Sequence, residues 1–439
     1  MSNYLITGAT LFGEDPQDIL VVEGAIAAVG ADAAARATDV SDLETIDATG
    51  LVALPGMVDM HTHLREPGRE DAETVLTGSQ AAARGGFTAV HAMANTAPVA
   101  DTAAVVELVD RLGREAGWTQ VRPVGAVTVG LGGERLSDIG GMAASRAEVR
   151  MFSDDGMCVW DAQLMRRALE YVKAFDGFIA QHAQEPRLTE KAQMNEGVVS
   201  AELGMVGWPA VAEEAIIARD VLLAEHTNSR LHVCHVSTAG SVEIIRAAKE
   251  RGIRVSAEVT PHHLLLTDEL VRSYNPVYKV NPPLRTEEDM QALRQAVADG
   301  VIDVIGTDHA PHPDESKECE WMAAAMGMTG LETALSVVAK ALIETGMIGW
   351  RRFAEITSRT PARLTGLGNQ GHNFEVGAEA NIILIDPEAR WIADPAAMST
   401  QGNNSPFAQM ELPARLVHTF YRGHRVVANS ELATPAGRP

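Results

Sequence analysis

The sequence predicts an α/β fold: a (β/α)8 TIM-type barrel carrying a small β-module built from both chain ends. Three observations predict it. Apolar strand-like runs alternate eight times with helix-periodic stretches over about 310 residues. Short β-type runs punctuated by turns occupy both termini. Side chains of metal-ligand type stand at the ends of several predicted strands, the face on which barrel enzymes build their sites.

The first fifty residues contain the runs 4–6, 18–22 and 25–29, separated by turn residues such as Glu23-Gly24. The same texture returns at 380–385 and 415–423, and chain ends often lie close together, so the two ends are expected to pair. Between them, strands are predicted at 51–60, 87–93, 121–127, 149–153, 177–181, 230–235, 253–259 and 301–307. Helices with apolar residues at 3.6 spacing are predicted at 103–113, 162–174, 211–226, 241–251 and 287–299, among others. The expected division is residues 1–55 and 369–439 for the β-module and 56–368 for the barrel. A doubly wound sheet fits less well, because it usually has fewer strands and a Gly-rich first turn. No nucleotide-phosphate loop of either common type is present.

Lys and Arg number 36 against 59 Asp and Glu, a formal charge of −23. That balance argues against nucleic acid or an anionic membrane surface as a partner. A small anionic substrate would have to be held by a local cation inside a site. The three cysteines, Cys158, Cys234 and Cys319, have no C-x-x-C spacing, so neither a disulfide framework nor a Cys-based zinc site is suggested. With no leader-like N-terminus and no long apolar stretch, a cytoplasmic location is expected.

The sharpest local signal is Asp59-Met60-His61-Thr62-His63 at a predicted strand end. Residues i and i+2 of a strand share a face, so the two imidazoles can share one metal ion. An H-x-H alone is weak, and any one of these histidines is more often a satisfied core or surface residue. Here His182, His235 and Asp308 close three further predicted strands, and Asp154-Asp155-Gly156 follows a fourth. Four histidines and two carboxylates exceed what one tetrahedral catalytic zinc takes, so two metal ions sharing a carboxylate are expected. Such a pair activates water and polarises a carbonyl, which is what opening an amide requires.

The segments Val58-Asp59-Met60-His61-Thr62-His63-Leu64-Arg65-Glu66-Pro67-Gly68, Thr260-Pro261-His262-His263-Leu264, Lys279-Val280-Asn281-Pro282-Pro283-Leu284-Arg285 and Thr307-Asp308-His309-Ala310-Pro311-His312 together resemble the bacterial dihydroorotases of the amidohydrolase superfamily. The resemblance spans nearly the whole chain. It implies reversible, metal-dependent cyclisation of N-carbamoyl-L-aspartate to L-dihydroorotate in pyrimidine synthesis, with two zinc ions per chain. His61 and His63 would hold the first ion with Asp308, His182 and His235 the second, and Asp155 would bridge them. Asp155 is preferred to Asp154 because the family's ligand is the second Asp of this D-D-G, 27 positions before the histidine matching His182. Asp308 would act as general base and then general acid.

By the same resemblance His63, Arg65, Asn95, Asn281, His312, Met326 and Gly327 would contact the substrate. Arg65 would pair with its carboxylate, on the face of His63 if the strand extends that far. Asn95 would share that carboxylate; its alternative is a plain turn residue. Asn281 and His312 would hydrogen-bond ring and carboxylate, and backbone groups of Met326-Gly327 would touch the ring. The polar loop 311–326 is a candidate lid or a simple solvated loop. His262 and His263 are expected to support the site without ligating, His232 to be core or support, and Asp154 to cap or brace. Two departures from the family pattern stand out. Ala92-Met93-Ala94-Asn95-Thr96 lacks two prolines, and His182 is followed by Ala183-Gln184-Glu185 where an acidic pair is usual.

The nearest alternative is a cyclic amidase of the hydantoinase, dihydropyrimidinase or allantoinase kind. Those relatives usually bridge their metals with a carboxylated lysine at the fourth strand, and residues 149–156 contain no lysine. A non-catalytic scaffold barrel would be expected to have lost ligands, and all six are here. Small-molecule substrates and a homo-oligomer, a homodimer being one form, are the expected partners, with association with another pyrimidine-pathway enzyme left open.

Overall fold

A computed structural model describes residues 2–436. The N-terminal strands Asn3–Leu11, Pro16–Val22 and Ala25–Val29 form an antiparallel meander, and Leu43–Asp47 and Val52–Pro55 add to the first of them in parallel. Ile382–Ile392 then pairs antiparallel with Val52–Pro55 and carries Glu411–Tyr421, His424–Ala428 and Glu431–Leu432. Both chain ends therefore share one nine-stranded sheet. They also pack tightly at Gly24 and Gly423, where a Cβ on Gly423 would lie 2.3 Å from Gly24 Cα.

Eight further strands are all parallel. Met57–Thr62, Phe87–Ala92 and Gln120–Pro123 make a sheet of three, and Met151–Phe152, Phe178–Gln181, Leu231–Val233, Val255–Val259 and Val304–Ile305 a sheet of five. Parallel bridges Gly125 to Phe152 and Thr62 to His309 join the two sheets at both edges. Helices follow most strands and pack against them. Strands so enclosed are buried along their length, as Phe178–Gln181 is, its one polar side chain, Gln181, being hydrogen-bonded to Val159 and Asp220. Local chemistry sets the helix limits. Glu287–Asp299 begins at a reciprocal Thr286/Asp289 capping box and stops at Gly300, whose φ of 80° suits glycine.

The expected strand 51–60 is in fact two. Val52–Pro55 belongs to the terminal sheet and Met57–Thr62 starts the parallel set. Gly56 is the break: a Cβ there would sit 2.2 Å from Thr88 Oγ1, so only glycine lets the chain pass from one sheet to the other. Both halves are fully buried, which is why hydrophobicity reads them as one run. The fourth and eighth parallel strands pair over only two residues each. Beyond them the chain turns away to present Asp155 and Asp308.

Candidate metal centre and substrate cleft

His61 and His63 lie at and just past the end of Met57–Thr62, with ring centroids 5.5 Å apart. His182 follows Phe178–Gln181, and His235 lies just past Leu231–Val233. The structure brings all six predicted ligands together, each between 0% and 5% exposed. Asp155 is the hub. Its Oδ1 is 3.2 Å from His61 Nε2, 3.4 Å from His182 Nδ1 and 3.4 Å from His235 Nε2, and its Oδ2 is 3.3 Å from His63 Nε2. Asp308 Oδ1 lies 3.1 Å from His63 Nε2 and 3.5 Å from His61 Nε2.

The donor atoms of His61, His63 and Asp155 all lie within 4.8 Å of one another, as do those of Asp155, His182 and His235. His61 Nε2 is buried without a hydrogen-bond partner, although two carboxylates face it. A ring nitrogen left in that state is satisfied by a bound cation, and the imidazole and carboxylate donors suit a divalent ion. Burial disfavours charge on His61, yet the facing carboxylates of Asp155, Glu258 and Asp308 pull it well above its ordinary pKa. Burial raises Asp308 as well, but His61 and His63 outweigh it and hold the carboxyl down at about 2. His235 and Asp308 take φ of 32° and 45°, a backbone region that costs a side-chain-bearing residue roughly 1–2 kcal/mol.

Arg65 is 7% exposed, and its Nε donates to Pro311 O at 3.2 Å. Among the described residues its terminal amino groups have no acceptor within hydrogen-bond distance. Burial lowers its pKa to about 10, so it stays charged at neutral pH. The strand ends at Thr62, so strand alternation does not reach Arg65; a left-handed φ of 60° turns it. Asn95 Oδ1 accepts from His63 Nδ1 at 2.9 Å. Asn281 Nδ2 donates to Gln184 Oε1 at 3.1 Å and leaves a buried, unpartnered Oδ1. His312 Nε2 donates to Met326 O at 2.9 Å, and its buried Nδ1 is free; burial, with Arg65 near, lowers its pKa to about 3 and keeps it neutral. The Gly327 N–H is taken by Lys279 O at 2.9 Å.

The chain matches the family described as Dihydro-orotase-like over residues 50–241. It is 61% identical over 432 residues to a dihydroorotase of Streptomyces coelicolor, covering 98% of this chain and 100% of that one. A dihydroorotase of Mycobacterium tuberculosis is 53% identical over 420 residues, 95% of this chain and 97% of that one. This chain belongs to the dihydroorotase family. Among solved structures, the L-hydantoinase (dihydropyrimidinase) of Arthrobacter aurescens superposes with a TM-score of 0.88 at 26% identity, covering 100% of this chain and 99% of that one. A dihydropyrimidinase of Brevibacillus agri, at 22% identity and TM-score 0.83 with 99% and 97% covered, shares the fold.

In this member of the dihydroorotase family two supporting residues, Glu258 and Asp59, carry roles that the sequence did not assign, and a third, Gln184, stood out there only as a departure from the family pattern. Glu258 is wholly buried on Val255–Val259, with Oε1 2.6 Å from His61 Nδ1 and Oε2 3.1 Å from His232 Nε2. A carboxylate inside the apolar run Val-Ser-Ala-Glu-Val was the available signal. Asp59 accepts from Thr307 and from the His61 N–H. Gln184 Oε1 lies 2.7 Å from His182 Nε2. Donor atoms of His61, Cys234 and Glu258 also cluster, but burial pushes the Cys234 thiol up, which keeps it a poor ligand.

The remaining polar residues brace the site. Asp154 accepts from the N–H groups of Val127 and Thr128 at 2.8 and 3.0 Å, fixing the loop beside the hub. His263 is held by Thr260 and Pro283, and among the described residues neither it nor His262 joins a donor cluster. The loop 311–326 is tied down, both to itself and to neighbouring backbone. Lys317 Nζ donates to the carbonyls of Lys279, Ala325 and Gly327 at 3.2, 2.9 and 3.0 Å. Among the described residues no helix is long and apolar enough to cross a membrane.

Proposed function

We propose that this chain is a dihydroorotase, a cyclic amide hydrolase that interconverts N-carbamoyl-L-aspartate and L-dihydroorotate at a two-zinc centre. The observation that carries the reading is Asp155, one carboxylate shared by two donor clusters. The family membership supports it. His61, His63 and Asp308 would hold one ion, His182 and His235 the other, and Asp155 both. When bound, the metal pair supplies a water nucleophile at neutral pH and polarises the amide carbonyl.

The protein's own groups do the rest. The unpaired terminal amino groups of Arg65 form a two-pronged pair with the substrate carboxylate, the local cation that a chain of −23 needs for an anion. Asn95 positions His63 through its amide oxygen and offers its amino group to the same carboxylate. The free Asn281 Oδ1 accepts from a ring N–H. Neutral His312, donating through Nε2 to Met326 O, presents Nδ1 as an acceptor, so it reads a substrate N–H in this state. The bond between Met326 and His312 makes the Met326-Gly327 backbone a support for that ring. Asp308, ionised, takes a proton at its carboxylate during ring opening and returns it to the leaving nitrogen; ring closure reverses the order.

The same reading divides the chain into a barrel over 56–368, which the two parallel bridges would close, and a β-module from 1–55 and 369–439. Comparing ring opening of dihydroorotate, hydantoin and dihydrouracil, with metal counted per chain, tests the assignment. Preference for a neutral ring would favour the hydantoinase alternative. A metal-free chain that stays inert after zinc is added would sink the enzyme reading.

A further inference from the structure

The two donor clusters meet at Asp155 but are backed differently. On the His61 side, Nδ1 faces the carboxylate of Glu258 at 2.6 Å, and neither side chain is exposed to solvent. A carboxylate there fixes the proton on Nδ1, leaves Nε2 as the donor lone pair and makes it more basic. The other oxygen of Glu258 is held by His232 at 3.1 Å, and the His235 backbone N–H donates to Oε1 at 3.3 Å, so the carboxylate has little freedom. Asp308 Oδ1 at 3.1 Å from His63 Nε2 puts a second carboxylate on this side that the other cluster lacks.

On the other side His182 turns Nδ1 toward Asp155, and its outer nitrogen meets the Gln184 amide oxygen at 2.7 Å. That amide is firmly oriented. Its Nε2 donates to Thr189 Oγ1 at 2.8 Å, and its Oε1 also accepts from Asn281 Nδ2 at 3.1 Å. It offers His182 the same hydrogen bond as a carboxylate would, without the charge. Among the described residues no carboxylate hydrogen-bonds the outer nitrogen of His182 or of His235. Charge in the interior is weakly screened, so backing by Asp308 and Glu258 on one side and by a neutral amide on the other sets the two sites apart in cation affinity.

We propose that the two metal sites are unequal: the His61/His63 site fills first and holds its ion tightly, the His182/His235 site binds weakly and exchanges, and Gln184 is the positioning residue that keeps it weak. This rests on the two-metal reading above. The test is equilibrium titration of chelator-stripped protein with zinc against a competing chromophoric chelator, which reads stoichiometry and dissociation constants without turnover. The parent protein should show two separated constants. Gln184→Glu should tighten the weaker by about 10–100-fold and leave the tighter unchanged, and Glu258→Gln should weaken the tighter by a similar factor. One ion in the parent and two in Gln184→Glu at the same free zinc would support the same conclusion. Two equal constants in the parent overturn the inference while leaving the two-metal reading intact, as does a Gln184→Glu protein with unaltered constants. A chain that binds no zinc in any form overturns both.

Discussion

The Asp59 carboxylate accepts hydrogen bonds from the Thr307 N–H at 3.0 Å and hydroxyl at 2.5 Å, and from the His61 N–H at 3.1 Å. One buried side chain thereby sets the spacing between the strand end that carries His61 and His63 and the turn that carries Asp308. Asp59→Asn replaces one of its acceptor oxygens with a donor. Because an error of about 1 Å in placing reacting groups can cost up to about 100-fold, kcat should fall by about 10–100-fold while KM moves by less than about 3-fold. Steady-state kinetics on folded protein checks this, and a change confined to KM would contradict it.

How much of this was legible depends on the residue. His61 and His63 were visible because strand alternation puts i and i+2 on one face, and that rule needs no tertiary knowledge. Arg65 was reached by family resemblance; the strand rule does not extend to it, because the strand ends at Thr62 and a positive φ aims the side chain. Asp155 could be told from Asp154 only by family resemblance, since both are buried carboxylates in one turn and differ in what faces them. Glu258 and Asp59 were missed because the partners that tie them to the site, His61 for Glu258 and Thr307 for Asp59, lie 197 and 248 positions away. Pairings of that separation leave no local periodicity. The split at Gly56 was hidden for a related reason, as two consecutive buried strands read as one apolar run.

Asp308 and Arg65 should separate chemistry from binding. Asp308→Ala should lower kcat by about 100- to 10,000-fold, the usual worth of a positioned acid/base. Arg65→Met removes charge-assisted hydrogen bonds worth about 1.5–3 kcal/mol each, so KM should rise by about 10–100-fold with a smaller effect on kcat. Kinetics in both directions, with zinc content measured for each variant, checks the pair. Near-normal kcat in Asp308→Ala would overturn the acid/base role.

Gly327 should tolerate no side chain. Its φ is 146°, and a Cβ would stand 2.7 Å from His312 Nε2, 2.9 Å from Ala310 Cβ and 3.0 Å from Ala310 O. Two of those neighbours cannot swing aside, so His312 must move. Gly327→Ala should cost about 1–3 kcal/mol of stability and raise KM through the displaced imidazole. Denaturant unfolding and KM measured together check both halves.

Lys317 ties the loop 311–326 by donating from Nζ to three carbonyls, two of which lie in or beside the predicted substrate backbone. In Lys317→Met the loop keeps its length but loses the tie. Limited proteolysis should then cut between 313 and 324 much faster than in the parent, and KM should rise more than kcat falls. Equal protection in both proteins would show that the remaining bonds suffice.

Glu332 makes a pH prediction away from the metal centre. Its side chain is 6% exposed, accepts from the Ser399 N–H at 2.9 Å and lies 3.5 Å from Arg84 Nη1. Burial outweighs these partners and raises its pKa from 4.5 to about 7. Between pH 4.5 and about 7 the folded chain therefore holds a proton that the unfolded chain has released, so this group's contribution to stability declines as pH rises through that window and the loss is complete above it. Glu332→Gln keeps an acceptor for the Ser399 N–H and has no proton to lose. Arg84 retains the Ala397 carbonyl at 2.7 Å as an acceptor. The variant should be more stable than the parent by about 2–3 kcal/mol at pH 8 and lose that advantage near pH 4.5. Urea unfolding at both pH values decides it, and a pH-independent difference would show that the carboxyl is ionised throughout.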